Sequence, residues 1–198
     1  MIKLKYIPYH LLKPFVSLYF HIVFRPTVIG KENIPKKGPI ILCGNHKHIH
    51  DQYNVMTVTP RLVHYMAKDE YFKGPTAWYY KIGQCIPVDR TIHDDLAKTK
   101  ALKVLQDGEA LGIFPEGTRN KTLGTEDEVD LLPFKFGAVS LAKKTNALIV
   151  PFGISGEYTG KKGHLVTKIG KPFSVKDMDL EEANDLLRKK ILKLMKNE

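Results

Sequence analysis

Residues 39–44, PIILCG, form an uninterrupted apolar run. A strand with one wet face alternates apolar and polar residues. A run with no alternation is buried on both faces, as in a parallel sheet covered by helices. Four more runs of this kind follow: RLVHYMA (61–67), GQCIPVDR (83–90), ALGIFP (110–115) and ALIVPFGIS (147–155). Helical patterns separate them. DDLAKTKALKVLQDG (94–108) is amphipathic and closes at Gly108, and PFKFGAVSLAKKTN (133–146) is helical. GHLVTKIGKPF (163–173) alternates like a half-exposed edge strand. A last helix starts near Asp179, an N-cap residue with Glu182 three positions on. Strands alternating with helices predict an α/β fold, with a largely parallel central sheet flanked by helices. The acidic stretch GTEDEVD (124–130) is expected to be a solvated loop.

The chain has 198 residues, enough for one domain with a full core, and 43% of them are hydrophobic. Cys43 and Cys85 sit in apolar surroundings without CxxC spacing, which suits a reducing compartment and argues against a disulfide scaffold. The formal net charge is +10, and its placement is uneven. Residues 1–50 hold Lys3, Lys5, Lys13, Arg25, Lys31, Lys36, Lys37 and Lys47 against a single acid, Glu32. A basic end fits nucleic acid or an anionic membrane. Its neighbours favour the membrane: LLKPFVSLYFHIVF (11–24) is apolar and aromatic, with Tyr6 and Tyr9 before it. The run is shorter than the roughly 20 residues a span requires, and Pro8, Lys13 and Pro14 interrupt it. An interfacial helix over residues 1–25, preceding an α/β domain over 26–198, is therefore expected. An ordinary helix packed on the core is the alternative. No small-residue cleavage site follows before Arg25-Pro26, which argues against a signal peptide.

Residues 44–51, GNHKHIHD, carry His46, His48 and His50 and end on Asp51. Two chemistries compete for this stretch. Metallo-hydrolases of the β-lactamase type use His-x-His-x-Asp-His, of which the present order is a permutation. A zinc site would need further ligands, and only His64, His93 and His164 lie downstream, His93 beside Asp94 and Asp95. The second chemistry is a general base: an imidazole takes a proton near neutral pH, and a carboxylate on its other nitrogen fixes the tautomer. His46 and Asp51 are five residues apart, about 140° around an ideal helix. They meet only if the chain turns between them, as in a strand-to-helix loop. His48 and His50 are then surface residues. None of the serines (Ser17, Ser140, Ser155, Ser174) lies in an elbow motif, and Cys43 lies inside an apolar strand. A base without a protein nucleophile suits a substrate hydroxyl attacking an activated acyl group such as a thioester.

Active sites of such sheets gather at the carboxyl ends of the strands. The run 83–90 ends on Asp89-Arg90, and 110–115 runs into FPEGTR (114–119). Arg119 and Arg90 could hold a phosphate, and Gly117 lets a backbone N–H approach an anion. Two surface ion pairs would explain the same arginines.

Four blocks together resemble the glycerophospholipid acyltransferase family: NHKHIHD (45–51), an NH-x4-D block; IPVDR (86–90); FPEGTR (114–119); and VPFGISG (150–156), a Pro at the end of a strand. GKENIPKKGPIIL (30–42) and PFKFGA (133–138) resemble the family's connecting segments. His48 departs from the common Ser, and the 124–130 stretch is longer than usual. The resemblance implies that His46 deprotonates the free sn-2 hydroxyl of a 1-acyl-sn-glycerol 3-phosphate and that Asp51 orients His46. Acyl-CoA or acyl-carrier protein would be the acyl donor and phosphatidate the product. It implies that Arg90, Glu116, Gly117, Thr118 and Arg119 shape the acceptor's phosphate site, and that Asn45 and Pro151 form the acyl side of the cleft. It implies no cofactor and no metal. The expected partners are an anionic membrane surface, the lysophosphatidate acceptor and an acidic carrier protein drawn to the basic end, not nucleic acid. The expected location is the cytoplasmic face of the cell membrane, peripheral or monotopic. Glycerol 3-phosphate or another lysophospholipid remains open as acceptor. So do a metal-dependent hydrolase and a non-catalytic membrane-binding module.

Overall fold

The computed structural model describes residues 3–92, 94–122 and 129–196. Among these, seven strands form one sheet: β1 (Thr27–Ile29), β2 (Ile40–Gly44), β3 (Val63–Lys68), β4 (Ile86–Val88), β5 (Ala110–Ile113), β6 (Leu148–Gly156) and β7 (Leu165–Ile169). Their order is β1-β7-β6-β2-β5-β3-β4. All neighbours run parallel except β6 and β7. The helices are α1 (Ile7–Phe24), α2 (Tyr53–Met56), α3 (Ala77–Ile82), α4 (Asp95–Gln106), α5 (Gly137–Thr145) and α6 (Leu180–Lys196).

The sheet lies between two apolar layers, which accounts for the unbroken run at β2. Ile41 and Cys43 pack on the side of α4, α5 and α6, with Ala101, Val139 and Leu187. Ile40 and Leu42 pack on the other side, with Tyr9 and Phe20 of α1. Every residue of β2 is buried. Asp94 caps α4 by accepting the Ala97 N–H at 2.8 Å, and Asp179 caps α6 by accepting the Glu182 N–H at 2.8 Å.

Three elements differ from the sequence reading. The 163–173 strand is not at the edge: β7 sits between β6 and β1. Its alternation reflects one buried face, while β1, three residues long, takes the edge. Residues 133–136 do not join the 133–146 helix. They run beside the 114–119 turn, with the Lys135 N–H on the Pro115 carbonyl at 2.8 Å, and α5 starts at Gly137. The 150–156 block does not place Pro151 at a strand end; it lies inside β6, buried, in register with Cys43. The β6–β7 ladder is interrupted between the Phe152–Ile169 pair and the Ile149–Phe173 bridge, so the N–H that Pro151 lacks falls in that gap.

The expected helix at 11–24 begins earlier, as α1, with Pro8 in its first turn and Pro14 inside. Arg25 (φ 45°) ends it ahead of Pro26. Tyr6, Tyr9 and Phe20 are buried in the core, whereas Leu11, Phe15, Leu18, Tyr19 and Ile22 are exposed. One face of the helix therefore packs on the domain and another presents an apolar strip to its surroundings. Among the described residues, no helix is long and apolar enough to cross a membrane.

Candidate active site

β2 ends at Gly44, and the chain then turns through residues 45–52 into α2. The Asp51 N–H donates to the His48 carbonyl at 3.2 Å, which folds the five-residue spacing back on itself. His46 Nδ1 thereby reaches Asp51 Oδ2 at 2.8 Å. The same oxygen accepts the backbone N–H groups of Lys47 (2.6 Å) and His48 (2.7 Å). Tyr158 donates its hydroxyl to the other oxygen, Oδ1, at 2.6 Å. Asp51 has no exposed surface. Its charge is held by these donors, because the Lys47 ammonium reaches the Gly156 carbonyl instead. With Nδ1–H on Asp51, Nε2 of His46 keeps an open lone pair. The His46 ring stacks on Phe114, with centroids 4.1 Å apart and planes 13° apart.

The 114–119 turn holds the other side of the loop. Glu116 is buried, and its Oε1 accepts the His46 N–H at 2.7 Å while its Oε2 accepts the Leu132 N–H at 2.8 Å. Burial pushes its carboxyl above the ordinary glutamate value. The Asn120 N–H donates to the His46 carbonyl at 2.6 Å. Gly117 adopts φ 70°, a left-handed conformation that favours glycine, and its N–H goes to the Phe114 carbonyl at 2.9 Å. That N–H closes the turn. Thr118 and Arg119 are exposed.

Arg90 is also exposed, beyond β4. It sits on a loop tied by Asp89, whose Oδ1 accepts the Thr91 N–H (2.8 Å) and hydroxyl (2.6 Å). Neither Arg90 nor Arg119 has an ion-pair partner among the described residues, so the surface-ion-pair explanation finds no support there. Two cations that the sequence reading passed over stand at the same carboxyl end. Lys68 closes β3 in register with Val88, and the Lys135 side chain lies against Gly117. Asn45 is buried and pairs with Ile154 of β6 through both amide atoms, at 2.9 and 2.7 Å, so it braces the loop. Pro151 lies lower in the sheet, level with Cys43.

His46 parts from the other two histidines, whose rings meet edge-on with centroids 5.1 Å apart. His48 stacks on Tyr158 (centroids 4.1 Å apart), and His50 packs on Phe24 (5.2 Å) and Tyr53 (5.5 Å). Both are half-buried, where the sequence reading expected surface residues, and burial lowers both below the ordinary histidine value. Among the described residues, no three His, Cys, Asp or Glu side chains gather as a metal site; His93 and residues 123–128 of the acidic stretch lie outside them. Cys43 is buried, and desolvation pushes its thiol well above the ordinary range, as expected of a core residue. Phe114 and Tyr158 are contacts that the sequence reading missed. Phe114 opens the FPEGTR block, which was read for its turn and its arginine, and Tyr158 follows the last recognised block.

Beside the loop, a cavity of about 320 Å³ opens between α1 and α3, lined by Phe15, Tyr19 and Phe24 with His50, Tyr53 and Tyr79. At the N-terminus, Lys3 pairs with Glu109 at 2.5 Å and Asp107 at 3.3 Å. Lys13 is half-buried against the Thr59 carbonyl, and burial lowers its ammonium to about 8. Lys5, between them, bonds to neither a carboxylate nor a carbonyl among the described residues, so of these three lysines of the basic end it is the one left for an outside partner.

A family model described as Acyltransferase matches residues 25–155. The 1-acyl-sn-glycerol-3-phosphate acyltransferase of Bacillus subtilis is 33% identical over 158 residues, covering 76% of this chain and 74% of its own. The protein of the same name from Saccharomyces cerevisiae is 28% identical over 193 residues, covering 91% of this chain and 60% of its own. The crystal structure of the 1-acyl-sn-glycerophosphate acyltransferase from Thermotoga maritima shares the fold, with a TM-score of 0.70 at 23% identity, over 92% of this chain and 79% of that one.

Proposed function

The chain belongs to the Acyltransferase family, and from that premise we propose that it moves a fatty acyl group from a thioester donor to the sn-2 hydroxyl of 1-acyl-sn-glycerol 3-phosphate, giving phosphatidate. The observation that carries this reading is His46, bonded to buried Asp51 through Nδ1 and open at Nε2. No protein hydroxyl or thiol bonds to His46 among the described residues, so the hydroxyl comes from the substrate.

In this reading Nε2 of His46 takes the acceptor's hydroxyl proton as its oxygen attacks the thioester carbonyl. Asp51 stabilises the imidazolium that forms. The tetrahedral intermediate collapses, the C–S bond breaks, and the proton passes to the leaving thiolate, restoring His46. Arg119, Arg90, Lys68 and Lys135 supply positive charge for the acceptor's phosphate at the carboxyl end of the sheet. Glu116 acts on that pocket through the backbone, by holding the His46 segment against the 114–119 turn. The aromatic cavity beside α1 receives an acyl chain, and the exposed apolar strip of α1 lies on an anionic membrane surface, peripherally and on the cytoplasmic side. Both substrates then reach the cleft at headgroup level. No step calls for a cofactor.

The test follows phosphatidate by mass spectrometry. Purified protein on liposomes receives lysophosphatidate with palmitoyl-CoA, and separately with palmitoyl-carrier protein. Phosphatidate with either donor, lost in His46→Ala, is the expected result, and the ratio of the two identifies the donor. Folded protein that yields none from either donor would overturn the acceptor assignment.

A further inference from the structure

Asp51 offers two oxygens, and His46 uses one of them. The other, Oδ1, is held by Tyr158 alone among the described residues, at 2.6 Å. Tyr158 lies three residues beyond the segment the family model matches. It reaches Asp51 because β6 ends in Gly156, whose φ of 76° turns the chain back over the 45–52 loop. A Cβ at Gly156 would stand 1.6 Å from the His164 carbonyl oxygen, so only glycine fits there.

The direction of the Tyr158 proton is fixed. Asn54 Nδ2 donates to the Tyr158 oxygen at 2.8 Å, which leaves the phenol's own proton for Asp51. Rings lock the phenol in place: His48 stacks on it at 4.1 Å, and Phe24 of α1 meets it edge-on at 5.4 Å. Burial pushes the phenol well above its ordinary value, so it remains a donor throughout the working range.

We propose that Tyr158 is a positioning residue for the His46–Asp51 pair: by donating to Oδ1 it fixes the rotation of the carboxylate and tempers its pull on the imidazole. The proposal rests on the reading of His46 as the general base. A hydrogen bond to a carboxylate stabilises its charged form and draws electron density from it. Without that donor, Asp51 holds the imidazolium more strongly and loses a constraint on its orientation. The other titratable groups facing the pair are Lys47, His48, His50 and Tyr65 on the Asp51 side and Glu116 on the His46 side, with Arg119 facing His48 and Glu157 facing Lys47. None of them hydrogen-bonds to the Tyr158 hydroxyl among the described residues.

The experiment uses the full chain on liposomes with Tyr158→Phe, and with difluorotyrosine incorporated at residue 158 as an isosteric, stronger donor. In Tyr158→Phe the acid limb of the kcat profile moves up by about half a pH unit, kcat falls about tenfold and KM for lysophosphatidate holds. Difluorotyrosine moves the limb the opposite way, which a purely structural phenol would not do. The downfield proton resonance of the His46–Asp51 hydrogen bond reads the pair without turnover, and is expected farther downfield in Tyr158→Phe. Folded variants with both limb and resonance unmoved would overturn the proposal. If His46→Ala kept full activity, the general-base reading would fall. The resonance would then decide separately: moved, it keeps Tyr158 in the pair, and unmoved, it removes it.

Discussion

Among the described residues, two histidines bond to carboxylates, one at each end of the sheet, and they differ in what they leave open. His46, at the carboxyl end, gives Nδ1 to Asp51 at 2.8 Å and keeps Nε2 free. His64, on β3 toward the amino end, gives Nδ1 to the Gln84 carbonyl at 2.9 Å and Nε2 to Glu109 at 2.6 Å. Both nitrogens of His64 face acceptors, so neither is available to a substrate. Glu109 also gathers the Tyr6 hydroxyl (2.8 Å) and the Lys3 ammonium (2.5 Å), fastening the segment before α1 to the sheet. On the proposed reading one pair exchanges a proton, while the other holds the chain. A histidine beside an acid is thus no sign of catalysis until its second nitrogen is accounted for.

The comparison breaks first at the proposed catalytic pair. Asp51→Asn keeps the shape of the side chain but loses the charge that fixes the tautomer. It is expected to lower kcat on the order of 10³- to 10⁴-fold with the fold retained, read by phosphatidate formation beside circular dichroism. His64→Phe should do the reverse. It removes one of the three groups that hold Glu109, leaving Tyr6 and Lys3, and is expected to destabilise by about 2 kcal/mol, read by denaturant unfolding, while kcat per folded molecule stays within twofold. A large loss of kcat in His64→Phe would mean that the two ends are coupled.

Acid sharpens the contrast at Glu109. Burial alone would raise its carboxyl, but the hydrogen bonds from Lys3, Tyr6 and His64 outweigh it and bring the group below its ordinary 4.5. A carboxyl depressed by folding adds stability above its unfolded value and loses it as pH falls through the folded value. Tm should therefore drop as pH falls below about 4.5. Glu109→Gln should flatten that drop and destabilise by about 1–2 kcal/mol at neutral pH, read by thermal melts across the acid range.

The sequence disclosed the sheet more fully than the site. PIILCG announced a strand covered on both faces because every side chain there needs an apolar neighbour, and Ile41 and Ile40 find theirs on opposite layers. β1 stayed hidden because three residues carry no period, and β7 was misplaced because alternation reports a half-buried face, not a position in the sheet. At the site, the NH-x4-D spacing named His46 and Asp51, but only the turn through His48 brings them together. Glu116 was legible as a charged residue on a loop; that both its oxygens hold backbone N–H groups was not, since hydrogen bonds 16 and 70 residues away leave no local pattern. Tyr158, 107 residues from Asp51, was invisible for the same reason.

The smallest expected effect separates the two histidines by their ring neighbours. His46 lies flat on Phe114 at 4.1 Å and 13°, whereas His64 meets Tyr6 edge-on at 5.8 Å and 68°. A flat stack restrains rotation of the imidazole about its own axis, which is the motion that would turn Nε2 away from an incoming hydroxyl. The bond to Asp51 fixes one ring nitrogen but leaves that rotation partly free, so Phe114 supplies the second constraint. Phe114→Leu keeps an apolar side chain beside Tyr65 and Phe152 but removes the parallel face. Aromatic pairs contribute about 0.5–1.5 kcal/mol beyond the area they bury, so kcat should fall about threefold to tenfold with KM unchanged. Steady-state kinetics at saturating lysophosphatidate read this directly. A rise in KM at constant kcat would assign Phe114 to the substrate rather than to the base.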